Sequence, residues 1–194
     1  MNAKMEWKPA ALLAPVPVVI ASCIADDLPP NLITLAWAGT ICSDPPMVTI
    51  GVRPERYSYN MIQKSGEFVL NMVSRKLGFA ADLCGVISGR DGNKFERANL
   101  TPEPSVKIKA PGIRESPLGL ECVVRSQVKL GTHDMFVAEI VAVRVAGNLL
   151  NKSGKLCLER AELITFSHGE YYELGKRIDH FGWSVRKKRK RGKK

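Results

Sequence analysis

LECVVRSQVKLGTHDMFVAEIVAVRVA, Leu120 to Ala146, carries the plainest pattern in this chain of 194 residues. Leu120, Cys122, Val124, Val128 and Leu130 alternate with Glu121, Arg125, Gln127 and Lys129. A period of two sends these sets to opposite faces of a strand, one against a core and one toward water. After Gly131-Thr132-His133-Asp134, the run Met135 to Ala146 is apolar at nearly every position, as a strand covered on both faces would be. Two long strands joined by a short turn predict an antiparallel hairpin, and the fold class follows from what surrounds it.

Upstream, Val16 to Cys23, Leu32 to Thr40 and Met47 to Arg53 read as further strands, the last two joined by Ser43-Asp44-Pro45-Pro46. Tyr57 to Lys64 changes period and reads as a short helix stopped at Ser65-Gly66, followed by a strand from Glu67 to Val73. Short helices are expected at Leu77 to Cys84 and Asn93 to Ala98, with GRDGN as the loop between them. Leu163 to Ser167 and Tyr171 to Leu174 form two last strands meeting at His168-Gly169. Strands outnumber helices without βαβ alternation. The expected class is mainly β, a closed or split antiparallel barrel with a few peripheral helices.

Apolar residues make up 45% of the chain and charged residues 25%, an ordinary globular balance. The net charge of +10 is unevenly placed: eight of the 29 Lys and Arg fall between Arg186 and Lys194, leaving 21 against 19 acidic residues elsewhere. One domain, residues 1–184, is expected, followed by a disordered basic tail, 185–194. No aromatic interleaves the basic run, which argues against nucleic-acid readout. No apolar run has the length of a membrane span and no leader pattern is seen. Cys23, Cys42, Cys84, Cys122 and Cys157 are odd in number and scattered, without C-x-x-C, so reduced, mostly buried thiols in a cytoplasmic protein are expected and no metal site. No G-x-G-x-x-G follows a strand, no phosphate loop is complete, and H-E-x-x-H and G-x-S-x-G are missing.

What remains is NLITLAWAGTICSDPP, Asn31 to Pro46, with RPERYSY, Arg53 to Tyr59, just behind it. A flat redox ring with a phosphate arm needs an apolar slot, backbone and hydroxyl groups for its polar edge, and N–H donors with an Arg for the phosphate. Thr34 to Trp37 and Cys42-Ser43 could border such a ring, while Arg53, Arg56, Tyr57 and Ser58 stand at a helix start, where free N–H groups face outward. The same residues also compose an ordinary strand-turn-strand-helix passage, with Trp37 as core filling and Cys42 as a small buried side chain.

Taken together, NLITLAW…CSDPPMVTIGV, RYSYNMIQKSGEFVLN, ADLCGVISGRDGNKFERANLTP, GTHDMFVAEIV and GEYYELG resemble the flavin reductase-like, FMN-binding split-barrel family on its flavoredoxin-like side. The similarity runs from about residue 15 to 176. It implies a Greek-key split barrel, a homodimer, and FMN held near the subunit interface. By position, Thr34, Leu35, Ala36 and Trp37 would border the ring, with Cys42 and Ser43 after the ring strand. Arg56, Tyr57 and Ser58 would hold the phosphate, with Arg53 nearby. His133 falls where the family places a histidine toward the flavin or nicotinamide, although Thr132 replaces the usual Asp before it. The implied activity is electron transfer through FMN, as an oxidoreductase fed by NADH or NADPH or as a carrier fed by an iron-sulfur protein. A second reading makes the basic tail the working part, binding nucleic acid or an acidic partner, with any flavin structural.

Overall fold

The computed structural model describes residues 3–186. Its strands and helices follow the chain as β1 (Val16–Pro17), β2 (Val19–Ala25), β3 (Leu28–Leu35), β4 (Ala38–Ser43), β5 (Pro46–Val52), α1 (Tyr57–Ser65), β6 (Glu67–Met72), α2 (Gly78–Val86) and α3 (Lys94–Arg97). Then come β7 (Pro102–Glu103), β8 (Gly112–Ile113), β9 (Leu118–Lys129), β10 (Asp134–Val145), β11 (Ile164–Ser167) and β12 (Glu170–Glu173). The fold is mainly β. From Lys187 onward, the expected basic tail lies outside the described residues.

Seven strands form one antiparallel sheet in the order β3-β2-β6-β9-β10-β5-β4. Its two edges, β3 and β4, are consecutive in the chain and separated only by Ala36 and Trp37. The three Cα steps from Leu35 to Ala38 reach at most about 11 Å, so the two edges come together at that end and the sheet curls into a barrel split between them. Alternation then fixes the interior. Val19, Ala21 and Cys23 of β2, Ile33 and Leu35 of β3, and Val48, Ile50 and Val52 of β5 point inward with Phe68, Cys122 and Phe136. Met61 and Ile62 of α1 pack against this core. The intervening residues of β2 and β3, Ile20 and Leu32, face a second core roofed by Leu77, Ala80, Ala81 and Cys84 around α2 and by Phe95 of α3. A separate small sheet, β1-β11-β12, lies beside the barrel.

Helix α1 stops where the sequence predicts, at Gly66, whose φ of 67° suits glycine and whose N–H donates to the Ile62 carbonyl. Three expectations need correction. Leu32 to Thr40 is two strands, because the chain crosses from one barrel edge to the other at Ala36-Trp37. The face of β9 that carries Glu121 is not wet throughout: Glu121 is fully buried, with Oε1 and Oε2 accepting from the N–H groups of Val106 and Lys107 at 2.9 and 2.8 Å. The loop before β8 folds over it. Strand β10 is not covered on both faces within one chain. Only Asp134, Phe136 and Ala138 in it are buried, and Val143 is 53% exposed.

A carboxylate sealed in by two N–H donors predicts a large stability effect. Glu121→Ala orphans both donors and is expected to lower unfolding free energy by about 3 kcal/mol in urea titrations. A change within about 0.5 kcal/mol would show that the loop is not held by this side chain.

Candidate functional site

The groove lies at Ala36-Trp37, where the chain crosses from β3 to β4. The Gly51 N–H donates to the Trp37 carbonyl at 2.8 Å, which ties the crossing to β5. Gly51 permits this approach: a Cβ there would lie 3.2 Å from the Cβ of Trp37. Trp37 stays 41% exposed, so its indole is wall and not core. Leu35 is buried in the barrel. Thr34 points the other way, its hydroxyl donating to the Ala81 carbonyl of α2.

Some residues away, the first turn of α1 meets the loop after α2. Arg56 occupies the N-cap position in an extended conformation, with no side-chain cap. First-turn N–H groups have no intrahelical acceptor, and they carry the positive end of the helix dipole. Ser58, 1% exposed, accepts a hydrogen bond at 2.7 Å from Nδ2 of Asn31, itself 4% exposed. Gly89 presses against this pair: a Cβ would stand 2.4 Å from the Asn31 Oδ1 and 2.5 Å from the Tyr57 Cδ1. Arg90 stacks over the Tyr57 ring at 5.5 Å.

Lys94 completes the wall. Asn93 caps α3 by accepting from the Phe95 N–H at 3.0 Å, and Phe95 is anchored in the outer core. That leaves Lys94 buried, with Nζ donating to the Cys84 carbonyl at 2.8 Å while the side chain lines the cavity. Burial lowers its pKa from the ordinary lysine value. An anion placed beside it would favour the charged ammonium and recover what burial costs.

These parts form one continuous groove. A cavity of about 300 Å³ is lined by Asn31, Arg56, Ser58, Gly89, Arg90 and Lys94. Through Ile33, Arg56 and Gly85 it joins a second, of about 160 Å³, lined by Thr34 to Trp37, Arg53 and His133. Ala36, Trp37, Gly51 and His133 open that in turn into an apolar trough of about 500 Å³. A further cavity, of about 110 Å³ beside Asn71 and Glu121, shares no residue with the groove.

His133 stands at the groove because its neighbour is fixed. Asp134 is buried, and its Oδ2 accepts from the Tyr59 hydroxyl at 2.6 Å and from Gln127 Nε2 at 2.8 Å. The Tyr59 hydroxyl beside it holds the Asp134 carboxyl below the usual range, so it is ionised at neutral pH. This network pins α1 to the β9–β10 turn. Partial burial, with Arg53 nearby, pushes the His133 pKa below its ordinary value, leaving a neutral imidazole at neutral pH. Its Nδ1 lies 3.0 Å from the Thr132 hydroxyl.

The structure thus gathers Thr34, Leu35, Ala36, Trp37, Arg53, Arg56, Tyr57, Ser58 and His133 along one groove. Cys42 and Ser43 are not brought there: they pair with Met47 and Pro46 at the far end of β4 and line none of these cavities. Sequence reasoning about single residues missed Asn31, Gly89, Arg90 and Lys94. A signal for Asn31 was present, a polar residue opening an apolar strand run. Three thiols are buried, and burial pushes Cys23 and Cys122 up to about 12 and Cys84 to about 11, so they stay protonated. No group of three or more His, Cys, Asp or Glu able to hold a metal occurs among the described residues, and no helix there is long and apolar enough to cross a membrane.

The fold and the groove together define a split-barrel protein with an apolar trough continuous with a cation-lined pocket at a helix start. Residues 12–175 match the flavin reductase like domain, and the chain belongs to that family. Flavoredoxin of Desulfovibrio vulgaris (Miyazaki F) superposes with a TM-score of 0.88 at 28% identity, over 95% of this chain and all of that one. A flavoredoxin from Methanosarcina acetivorans gives 0.85 at 24% identity over 95% of this chain and 100% of its own, a likeness of fold. An uncharacterized protein of Archaeoglobus fulgidus is 34% identical over 114 residues, 59% of this chain and 64% of that protein.

Proposed function

We propose that this protein binds FMN in the groove and passes electrons through it, as an FMN-dependent oxidoreductase or as an electron carrier. The observation that carries this is the continuity of the groove from the apolar wall at Ala36-Trp37 to the buried cation at Lys94. The residues suit the cofactor. Arg56, Ser58, Arg90 and Lys94 would hold the phosphate, and Gly89 keeps the cradle open where any Cβ would intrude. Ala36, Trp37 and His133 would border the ring.

When bound, FMN supplies the electron-accepting chemistry that no side chain here provides. The protein's own contribution is placement. Lys94 and the α1 first turn fix the anionic arm, Trp37 excludes water from one edge, and the neutral His133 offers a proton donor or acceptor at the open side. The donor is NADH, NADPH or an iron-sulfur protein. Anaerobic stopped-flow mixing of the FMN-loaded protein with each nicotinamide decides between the branches: flavin bleaching at about 1 s⁻¹ or faster supports a reductase. With neither nicotinamide effective, the reductase branch is wrong and the carrier branch stands.

A homodimer belongs to the same proposal. Strand β10 is written for cover on both faces, yet one chain covers one face only, and Val128, Leu130 and Val143 are more than 40% exposed. Sedimentation equilibrium is expected to give twice the 21.4 kDa chain mass. A monomer at micromolar concentration would refute it.

A further inference from the structure

The stretch from Lys176 to Arg186, beyond β12, takes no part in the groove or in either core. Among the described residues, its hydrogen bonds and its one ion pair stay within it. Gly182, at φ 83°, turns the chain, and the Trp183 N–H closes on the His180 carbonyl at 3.2 Å. Around that turn the apolar side chains face outward. Phe181 is fully exposed, Ile178 is 92% exposed, Val185 83% and Trp183 54%. Single exposed apolar residues are ordinary on a protein surface, but four large ones on one short segment mark an interaction site.

The segment runs straight into the densest charge of the sequence. Between Lys176 and Lys194 stand ten Lys or Arg against a single acid, Asp179. That acid already has a neighbour, its Oδ1 lying 2.7 Å from Nδ1 of His180. Large apolar side chains beside a dense positive run call for a partner that is both oily and anionic. A second copy of this chain does not answer, because outside Arg186 to Lys194 its 21 basic and 19 acidic residues leave a slight positive excess. A nucleic acid would take the charges and the two aromatic rings but leave Ile178 and Val185 in water. A bilayer with anionic headgroups takes every part. Trp and Phe settle at headgroup level, aliphatic side chains reach the acyl boundary, and Lys and Arg meet the lipid phosphates.

We propose that Ile178 to Lys194 attaches this protein to the surface of an anionic membrane, with Phe181 and Trp183 seated in the headgroup layer and the basic run holding them there. Two weak signals act together, apolar insertion and charge, and neither alone gives stable attachment. The attachment is to one leaflet and is not a span. It does not rest on the FMN reading.

The whole chain is sedimented with vesicles of phosphatidylcholine alone and with vesicles holding about one-third phosphatidylglycerol, at about 0.1 M salt. The anionic vesicles are expected to bind about tenfold or more tightly. Phe181→Ser combined with Trp183→Ser leaves every charge in place and is expected to weaken that binding about tenfold, and removal of Arg186 to Lys194 about 100-fold. Both variants are expected to keep the wild-type urea midpoint, since neither change touches a core. Trp183 is also read directly: lipid brominated near the headgroup is expected to quench the wild-type fluorescence, and Trp183→Phe, which keeps Trp7 and Trp37, to lose most of that quenching. Equal affinity for the two vesicles, full binding by the double serine variant, or quenching unchanged in Trp183→Phe overturns the proposal. So does a single-stranded RNA oligonucleotide that binds more tightly than the anionic vesicles at the same salt, because the run would then serve nucleic acid. A dimer that dissociates in the double serine variant overturns it too, since the two rings would belong to a second copy.

Discussion

Lys94→Met is expected to weaken FMN binding about 100-fold while leaving the FMN-free protein as stable as the wild type or more so. The two halves have one cause. The lysine is buried with a single carbonyl as its partner, so folding carries the cost of desolvating an ammonium. Methionine fills nearly the same volume without that cost. Once a phosphate is present the balance reverses, since removing one member of a buried charge pair costs about 2–5 kcal/mol. Riboflavin, which has no phosphate, is expected to bind both proteins alike. Isothermal titration with FMN and riboflavin, paired with urea denaturation of the free proteins, checks each part. Equal losses for both ligands would show that Lys94 supports the groove in general and does not meet the phosphate.

Gly89→Ala is expected to damage the same end by geometry. The added carbon would sit at 2.4 and 2.5 Å from two neighbours, closer than carbon contacts allow. Both neighbours belong to the cradle, since Asn31 orients Ser58 and Tyr57 begins α1. Relief requires the loop or the helix to shift, with a stability loss of about 1–3 kcal/mol and FMN affinity lower by about tenfold or more. Gly147→Ala is the control. Its Cβ would meet nothing within 4 Å and the residue lines none of the groove, so about twofold or less change in affinity is expected. Similar losses in both variants would remove the argument for a close-fitting cradle.

The sequence showed the fold where burial follows a simple period. Leu120 to Val124 alternates because one face meets the barrel core, and Tyr57 to Gly66 announces its own end. Beyond Val124 the register against β10 slips, and Val128 and Leu130 of the same apolar set are exposed instead of buried. It did not show the break at Ala36-Trp37, because TLAWAGTIC stays strand-like across a crossing imposed by barrel closure. Glu121 looked solvated because its cover, the backbone at Val106 and Lys107, is distant in sequence. Lys94 was invisible for a related reason. A lysine in NKFER reads as surface, and only the anchoring of Phe95 in the outer core turns it inward. Cys42 and Ser43 erred in the opposite sense. They are near Trp37 in sequence, but five residues of extended strand span roughly 16 Å, which carries them away from the groove.

The central claim is that one groove grips a planar ring and its phosphate together. Titrating the flavin-free protein with FMN and with riboflavin, followed by flavin fluorescence, tests it most directly. One FMN per chain at micromolar affinity or tighter, with riboflavin bound about 100-fold more weakly, is the expected result. No uptake of FMN at saturating concentration, or equal affinity for the two flavins, would contradict it.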